Sequence, residues 1–309
     1  MSNSHEEIKQ EDTTRLISEE EMERLRRTSP ERRRASLIVV TGGEIGREYE
    51  VVGDEIVIGR CDTADIRINS RLVSRRHAVI RRITEKNMER YVVVDLESMN
   101  GTLLNNNPVK SAELQEGDKI QIGEVVFKFG YQDAFDAQFH KEIHRLIHYD
   151  RLTGLMTMES FRRVLEDTIH CAQPGEVFTL AMTDLDGLKR VNDTYGHLAG
   201  RMVVEAMGQM IRDTLRSTDI PALYGGDETV ILYAKTGLEE ACEVAERLRH
   251  VIKSRTFQYN EHTFGVTISQ GLAQWPTHGA TPEKIIAAAD AALYRAKAAG
   301  RNCVKTAAD

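Results

Sequence analysis

What the 309-residue chain lacks narrows its class first. Its longest aliphatic run near the start, "SLIVV" from Ser36 to Val40, is far shorter than the ~20 apolar residues of a helical membrane span, and no signal-peptide pattern precedes it. The expectation is therefore a cytoplasmic protein with no membrane partner. Paired cysteine spacing is missing: Cys61, Cys171, Cys242 and Cys303 stand far apart, which excludes a disulfide framework or a zinc knot and fits reduced thiols. A basic excess is missing as well. The 41 Lys and Arg residues against 48 Asp and Glu leave a net charge of −7, so a nucleic-acid partner is not expected. No internal repeat is visible. What remains, 41% hydrophobic and 29% charged residues, suits a soluble globular chain long enough for two domains with separate cores.

Residues 1–36 differ from the rest. Eight acidic and two basic residues lie between Met1 and Glu23, then six basic and one acidic between Arg24 and Ser36. Glu20 with Arg24, and Glu23 with Arg27, are spaced to pair on a short solvated helix; the remainder of this tail has little to bury and reads as disordered. From 37 to 130, short runs such as "EIVIG", "HAVIRRI", "YVVVDL" and "KIQIGEVVFKF" predict an all-β sandwich. "GGEIGR" at Gly42 lacks the Lys-Ser/Thr of a phosphate loop and reads as a hairpin turn. Over 131–149, Phe135, Phe139, Ile143, Leu146 and Ile147 share one helical face, which packs either on its own domain or on a second copy. From 150 to 309, helical and strand patterns alternate. They include a helix from about Met202 to Leu215, a strand "FGVTISQGLA" and a closing helix "EKIIAAADAALYRAKAAG", predicting an α/β (α+β) domain with a mixed sheet.

The stretch "LYGGDETVILY" (Leu223 to Tyr233) sets two carboxylates, Asp227 and Glu228, at the entrance to an apolar strand after a double-glycine turn. A second cluster ends the strand "VFTLAMTD": Asp184 closes it and Asp186 stands where the next helix would take its N-cap. If the two strands are neighbours, Asp184 and Asp227 converge and need a cation; hard oxygen ligands on rigid strand ends suit Mg²⁺ shared with a substrate's phosphates.

"DRLTGL" (150–155), "DLDGLKRVNDTYGHLAG" (184–200), "RSTD" five residues before "GGDE", "VTISQG" (266–271) and "ADAALYRAKAAGRN" (289–302) together resemble the ordered landmarks of the GGDEF diguanylate cyclase family. The resemblance covers about half the chain. It implies a fold like nucleotide cyclase and polymerase palms, and condensation of two GTP into cyclic di-GMP across a homodimer. It further implies Asp184, Asp227 and the Leu185 carbonyl as ligands of two Mg²⁺ (or Mn²⁺) ions, with Asp227 and Glu228 as the catalytic pair. Gly187, Leu188 and Lys189 would cradle phosphates at a helix N-terminus, and Lys297 and Arg301 would clamp them. Asn192 would read the guanine edge, with His197 nearby. Asp290 reads as a structural cap or hydrogen-bond partner and not as a ligand. Arg216 and Asp219 match a product-binding inhibitory site. Three departures stand out. Arg201 replaces an aspartate that accepts from guanine, and an arginine has no acceptor to offer. It can donate to guanine O6 and N7, or the pocket admits ATP. Thr229 and Leu223 replace a phenylalanine and an arginine without removing a ligand. A cyclase making cyclic GMP-AMP, or a sensor without turnover, are the alternatives.

"IGRCDTADI" (58–66), "SRRHAVI" (74–80) and "DLESMNGTLLN" (95–105) are similar to the forkhead-associated (FHA) domain, a β-sandwich that reads phosphothreonine. On that resemblance Arg60, Ser74 and Arg75 would hold the phosphate, Asn100 the peptide backbone, and His77 the loops. Thr13 and Thr14 each have an aliphatic residue three positions on (Leu16, Ile17), a spacing this family favours, which makes the chain's own tail, phosphorylated by a Ser/Thr kinase, a candidate ligand. An incidental pair of threonines in a disordered tail is the plain alternative.

Overall fold

The alternating runs of the first part form eleven strands in a computed structural model that describes residues 33–308 except residue 87. The threonines at 13 and 14 and the tail helix lie outside the described residues. Strands β1 (Arg34–Thr41), β2 (Glu48–Glu50), β7 (Thr102–Leu104), β8 (Asn107–Val109), β10 (Lys119–Ile122) and β11 (Val125–Gln132) make one sheet, ordered β2-β1-β11-β10-β7-β8. The facing sheet, ordered β4-β3-β5-β6-β9, contains β3 (Glu55–Gly59), β4 (Ile66–Arg67), β5 (Ala78–Glu85), β6 (Met88–Asp95) and β9 (Ser111–Leu114). Period-two alternation sends Ala35, Leu37 and Val39 from β1, and Phe127 and Phe129 from β11, into the same core as Ile58, Ile80 and Val93 of the facing sheet.

Helix α1 (Ala134–His148) follows at once. Asp133 caps it by accepting from the amides of Phe135 and Asp136, and Asp136 reciprocates. Of its apolar stripe, Phe135, Phe139 and Ile147 remain exposed.

The second unit is a six-stranded sheet ordered β12-β14-β15-β13-β18-β19. Its strands are β12 (Met156–Thr157), β13 (Phe178–Asp186), β14 (Ile220–Gly225), β15 (Glu228–Tyr233), β18 (Thr267–Trp275) and β19 (Val304–Thr306); β12 and β19 pair parallel, the inner strands antiparallel. Helices α2 (Met158–Cys171) and α6 (Pro282–Ala298) cover one face. The other face carries α3 (Leu188–Tyr195), α4 (His197–Thr214) and α5 (Leu238–Ser254). Leu180 and Met182 point to the α2/α6 core while Ala181 and Leu185 point to the α4/α5 core. By the same period Asp184 and Glu228 must share the α6 face, which positions the site described below.

Three expectations are corrected here. The run "FGVTISQGLA" is not one strand: Phe264 belongs to β17 (His262–Gly265), which forms a separate hairpin with β16 (Thr256–Tyr259), and Phe264 stacks on Tyr195 and Phe257 instead of joining the main sheet. The helix expected from about Met202 begins at His197, one turn earlier. Asp186 is not an N-cap; Gly187, at φ 81°, takes that position with no side-chain cap, and the Asp186 carboxylate turns across the sheet.

The two units meet along a polar seam. Nε2 of buried His148 donates to the Ile45 carbonyl (3.0 Å), leaving Nδ1 to accept from Ser160 Oγ (2.7 Å), so one imidazole ties the β1–β2 turn to α2. Arg71 Nε donates to the His170 carbonyl at the end of α2 (2.6 Å), and Lys235 pairs with Asp62 at 3.4 Å. Glu124, held by Ser70 Oγ at 2.7 Å, faces Asp167 of α2, and burial followed by the Glu124 charge pushes the Asp167 carboxyl up to about 6. A carboxyl raised in the folded state gives stability that is complete below its ordinary range and lost as pH rises through the raised value. Between pH 4.5 and pH 7 the wild type should therefore lose about 1 to 2 kcal/mol relative to Asp167→Asn in chemical denaturation. Identical pH dependence in both proteins would show that Asp167 is freely solvated.

Candidate functional site

The β13–β15 register sets Asp184 directly opposite Glu228. Lys297, from the last turn of α6, places its ammonium 2.8 Å from Asp184 Oδ2 and 4.0 Å from Glu228 Oε1. Asp227 lies beside them in the β14–β15 turn, where Gly226 has φ 60°, so the strand starts at Glu228 and not at Asp227. Burial, then the neighbouring Asp184 charge, hold the Asp227 carboxyl above its usual range; Lys297 opposes the shift. Glu228 is raised by the same two causes, with Asp227 and Asp290 adding to them and Lys297 again opposing. The physical content is a half-buried cluster of acids with one ammonium for compensation.

Because the strand begins at Glu228 and the turn takes up Asp227, Glu228 lies on the Asp184 face. Asp290 does not cap a helix. Thr281 caps α6, and Asp290 is exposed one face-repeat before Lys297, where its charge acts on Glu228. The i, i+7 spacing of Asp290 and Lys297 was the available signal.

Asp186 is the residue whose role sequence reading missed. Its Oδ1 accepts from Ser269 Oγ (2.7 Å), and its Oδ2 from Thr267 Oγ1 (2.7 Å) and the Asn302 amide (3.0 Å). Gly300, Arg301 and Asn302 all have positive φ, turning the chain sharply off α6 so that this amide reaches Asp186. The carboxylate therefore fixes the segment that carries Arg301, which is exposed. On the other side of the β13 end, the α3 N-terminus presents the amides of Gly187 and Leu188 with exposed Lys189. Asn192 packs so tightly on Gly200 that a methyl group there would lie 2.9 Å from Asn192 Cγ. His197 and Arg201 are exposed in the first turns of α4.

Does this donor set fit a divalent cation? Among the described residues no three or more His, Cys, Asp or Glu side chains are drawn into a ready-made cage. The oxygens of Asp184 and Glu228 are nonetheless hard donors flanking a lysine ammonium, with the Asp227 carboxyl near enough to feel the Asp184 charge, so the chemistry fits an ion such as Mg²⁺.

Arg216 and Asp219 do not form an ion pair. Buried Asp219 accepts from the Arg216 backbone amide (3.2 Å), while the Arg216 guanidinium pairs with Glu240 at 2.9 Å in solvent. In the sandwich, the loops after β3, before β5 and before β7 converge. The Ser74 carbonyl accepts from the Arg60 amide (3.0 Å), Ser74 Oγ from the Met99 amide (3.0 Å), and the Leu72 carbonyl from Asn100 Nδ2 (2.8 Å). Fully buried His77 accepts from the Ser74 amide at Nδ1 and donates from Nε2 to the Gly101 carbonyl, joining two of these loops. Arg75 is exposed at the same edge.

Comparison with known proteins agrees with this arrangement. The family model of the GGDEF domain, described as diguanylate cyclase, matches residues 147–303, and that of the FHA domain matches residues 56–123. Diguanylate cyclase A of Treponema denticola is 36% identical over 159 residues, covering 50% of this chain and 43% of that protein. Response regulator PleD of Caulobacter vibrioides is 35% identical over 158 residues, 50% of this chain and 35% of its own. The chain thus spans less than half the length of these curated relatives. Among solved structures, the coiled coil and GGDEF domain of DgcB from Caulobacter crescentus, in complex with c-di-GMP, superposes with a TM-score of 0.51 at 26% identity, over 55% of this chain and 90% of that one. SiaD of Pseudomonas aeruginosa, solved with its activator SiaC, gives 0.51 at 29% identity over 55% and 65%. No helix among the described residues is long and apolar enough to cross a membrane. With its model matched over more than half the chain, the protein belongs to the GGDEF diguanylate cyclase family and carries an FHA domain ahead of that unit.

Proposed function

We propose that the chain is a cytoplasmic diguanylate cyclase that condenses two GTP into cyclic di-GMP and two pyrophosphates, with one nucleotide held by each unit of a homodimer. The observation that carries this reading is the Lys297 ammonium between Asp184 and Glu228, with Asp227 near enough for the Asp184 charge to act on it. Asp184, Asp227 and the Leu185 carbonyl would hold two Mg²⁺ ions, or Mn²⁺ in their place. When bound, the cations neutralise triphosphate charge and polarise the phosphoryl oxygens. Lys189 and the Gly187 and Leu188 amides orient phosphate, as do Lys297 and Arg301, and Asn192 orients the base. Asp227, raised by burial and by Asp184, takes the proton of the attacking 3′-hydroxyl; that oxygen bonds to the α-phosphorus of the partner nucleotide and pyrophosphate leaves. Two relatives are named for this activity or for bound c-di-GMP, which supports the substrate class.

Control follows from the other sites. Product bound at Arg216 and Asp219 would inhibit, which requires Arg216 to let go of Glu240. The FHA edge of Arg60, Ser74, Arg75 and Asn100 would read a phosphothreonine made by a Ser/Thr kinase, with Thr13 and Thr14 of the chain's own tail as candidates. A second reading, production of cyclic GMP-AMP, is favoured by exposed Arg201 at the base-reading end of α4. Purified protein given Mg²⁺ with equal GTP and ATP tests both. Cyclic di-GMP as the main product supports the first reading and a hybrid dinucleotide the second; no dinucleotide product overturns the enzyme in favour of a sensor.

A further inference from the structure

The edge of the sandwich that would read phosphothreonine is the edge that touches the catalytic unit. Arg71, three residues before Ser74 in the same loop, donates to the His170 carbonyl at 2.6 Å. Asp62, two residues after Arg60, pairs with Lys235 at the end of β15. The charges of Arg60, Arg71 and Arg67 all reach Cys171: burial and then Asp167 push that thiol up, and these three guanidinium groups pull it down. Arg60 of the would-be phosphate site and its neighbours Arg67 and Arg71 thus lie toward the carbonyl end of α2, whose partial negative charge attracts cations, and Arg71 makes the direct contact. The seam is also electrostatically loaded, because Glu124, held by Ser70 of the same loop, faces Asp167 across it. Such a contact is poised to open once a stronger anion is offered.

We propose that the α2 C-terminus and a phosphothreonine peptide compete for this edge, so that peptide binding releases the catalytic unit from the FHA domain. The inference rests on the phosphothreonine reading above but adds the occupant that the peptide displaces. A phosphate carries nearly two negative charges and three acceptor oxygens, against one carbonyl from the helix. Arg60 and Arg75 would swing to the phosphate, drawing the Ser70–Arg75 loop, and Arg71 with it, off His170. When the binding-competent state is only partly populated, apparent affinity falls by that fraction, so weakening the seam must tighten peptide binding.

The test uses the full chain, wild type, Arg71→Ala and Lys235→Asn; asparagine tolerates the left-handed backbone at position 235 (φ 52°). The probes are a tail peptide phosphorylated at Thr14 and a degenerate phosphothreonine peptide pool, with unphosphorylated versions as controls. Titration calorimetry should give phosphopeptide binding about fivefold or more tighter in either variant than in wild type. Saturating phosphopeptide should also speed amide hydrogen exchange at residues 168–173 of the wild type, as each substitution does without peptide. Equal affinity in all three proteins with unchanged exchange overturns the competition while leaving phosphothreonine reading intact. Absence of binding by every phosphorylated probe in every protein overturns both.

Discussion

Asp184→Ala will lower dinucleotide formation by roughly a thousandfold while leaving the melting temperature within about 2 °C. Two kinds of observation separate these effects. Asp184 sits at a strand end where its partners are functional groups: Lys297 at 2.8 Å, Glu228 across the register, and Asp227, whose carboxyl its charge pushes up. Removing it takes away one repulsive charge from two neighbouring acids, while Lys297 keeps Glu228, so the folded state loses little. On the proposed function, catalysis would lose a hard oxygen ligand, and with it the charge neutralisation that phosphoryl transfer needs. Product measured by chromatography beside a thermal melt checks both halves. Activity within tenfold of wild type would remove Asp184 from the chemistry.

Gly271→Ala should do the reverse, unfolding the second unit more readily by about 3 kcal/mol, or roughly 6 to 12 °C in melting temperature. Gly271 lies in β18 opposite Met182, and α6 crosses so closely that a methyl group there would fall on the Leu293 amide and the Ala289 carbonyl and lie 2.6 Å from the Ala292 carbonyl carbon. Buried Ala289, Ala292 and Ala296 on α6 allow that approach. Backbone cannot step aside as a side chain can, so the helix must lift, and Lys297 would lift with it. A melt within 2 °C of wild type would show that α6 adjusts without cost.

The sandwich and the sheet-helix alternation were legible because they are written locally. Ala35, Leu37 and Val39 alternate, and Phe161 and Leu165 are one helical turn apart, so burial follows from spacing alone. The acids of the site were legible as neighbours of glycines at strand ends. What escaped was long-range. Asp186 obeys the local rule for an N-cap, but Thr267 and Ser269, more than eighty positions away, claim its oxygens, and three charge-assisted bonds outweigh one cap. The pairing of Glu228 with Asp184 escaped because residue order alone does not show that the turn, not the strand, absorbs Asp227. The break between β17 and β18 escaped because Phe264 is apolar wherever it goes; only the rings of Tyr195 and Phe257 decide its place. Arg71 and His170 are 99 positions apart, and no periodicity links them.

The tie between Asp186 and Asn302 spans 116 positions, so a chain emerging from the ribosome exposes the first long before the second exists. At about 5 to 20 residues per second, synthesis leaves an interval of roughly 6 to 25 seconds in which Asp186 has no such partner. An unfinished polypeptide therefore lacks the tie that holds the turn carrying Arg301, and that turn is among the last parts of the fold to take its place.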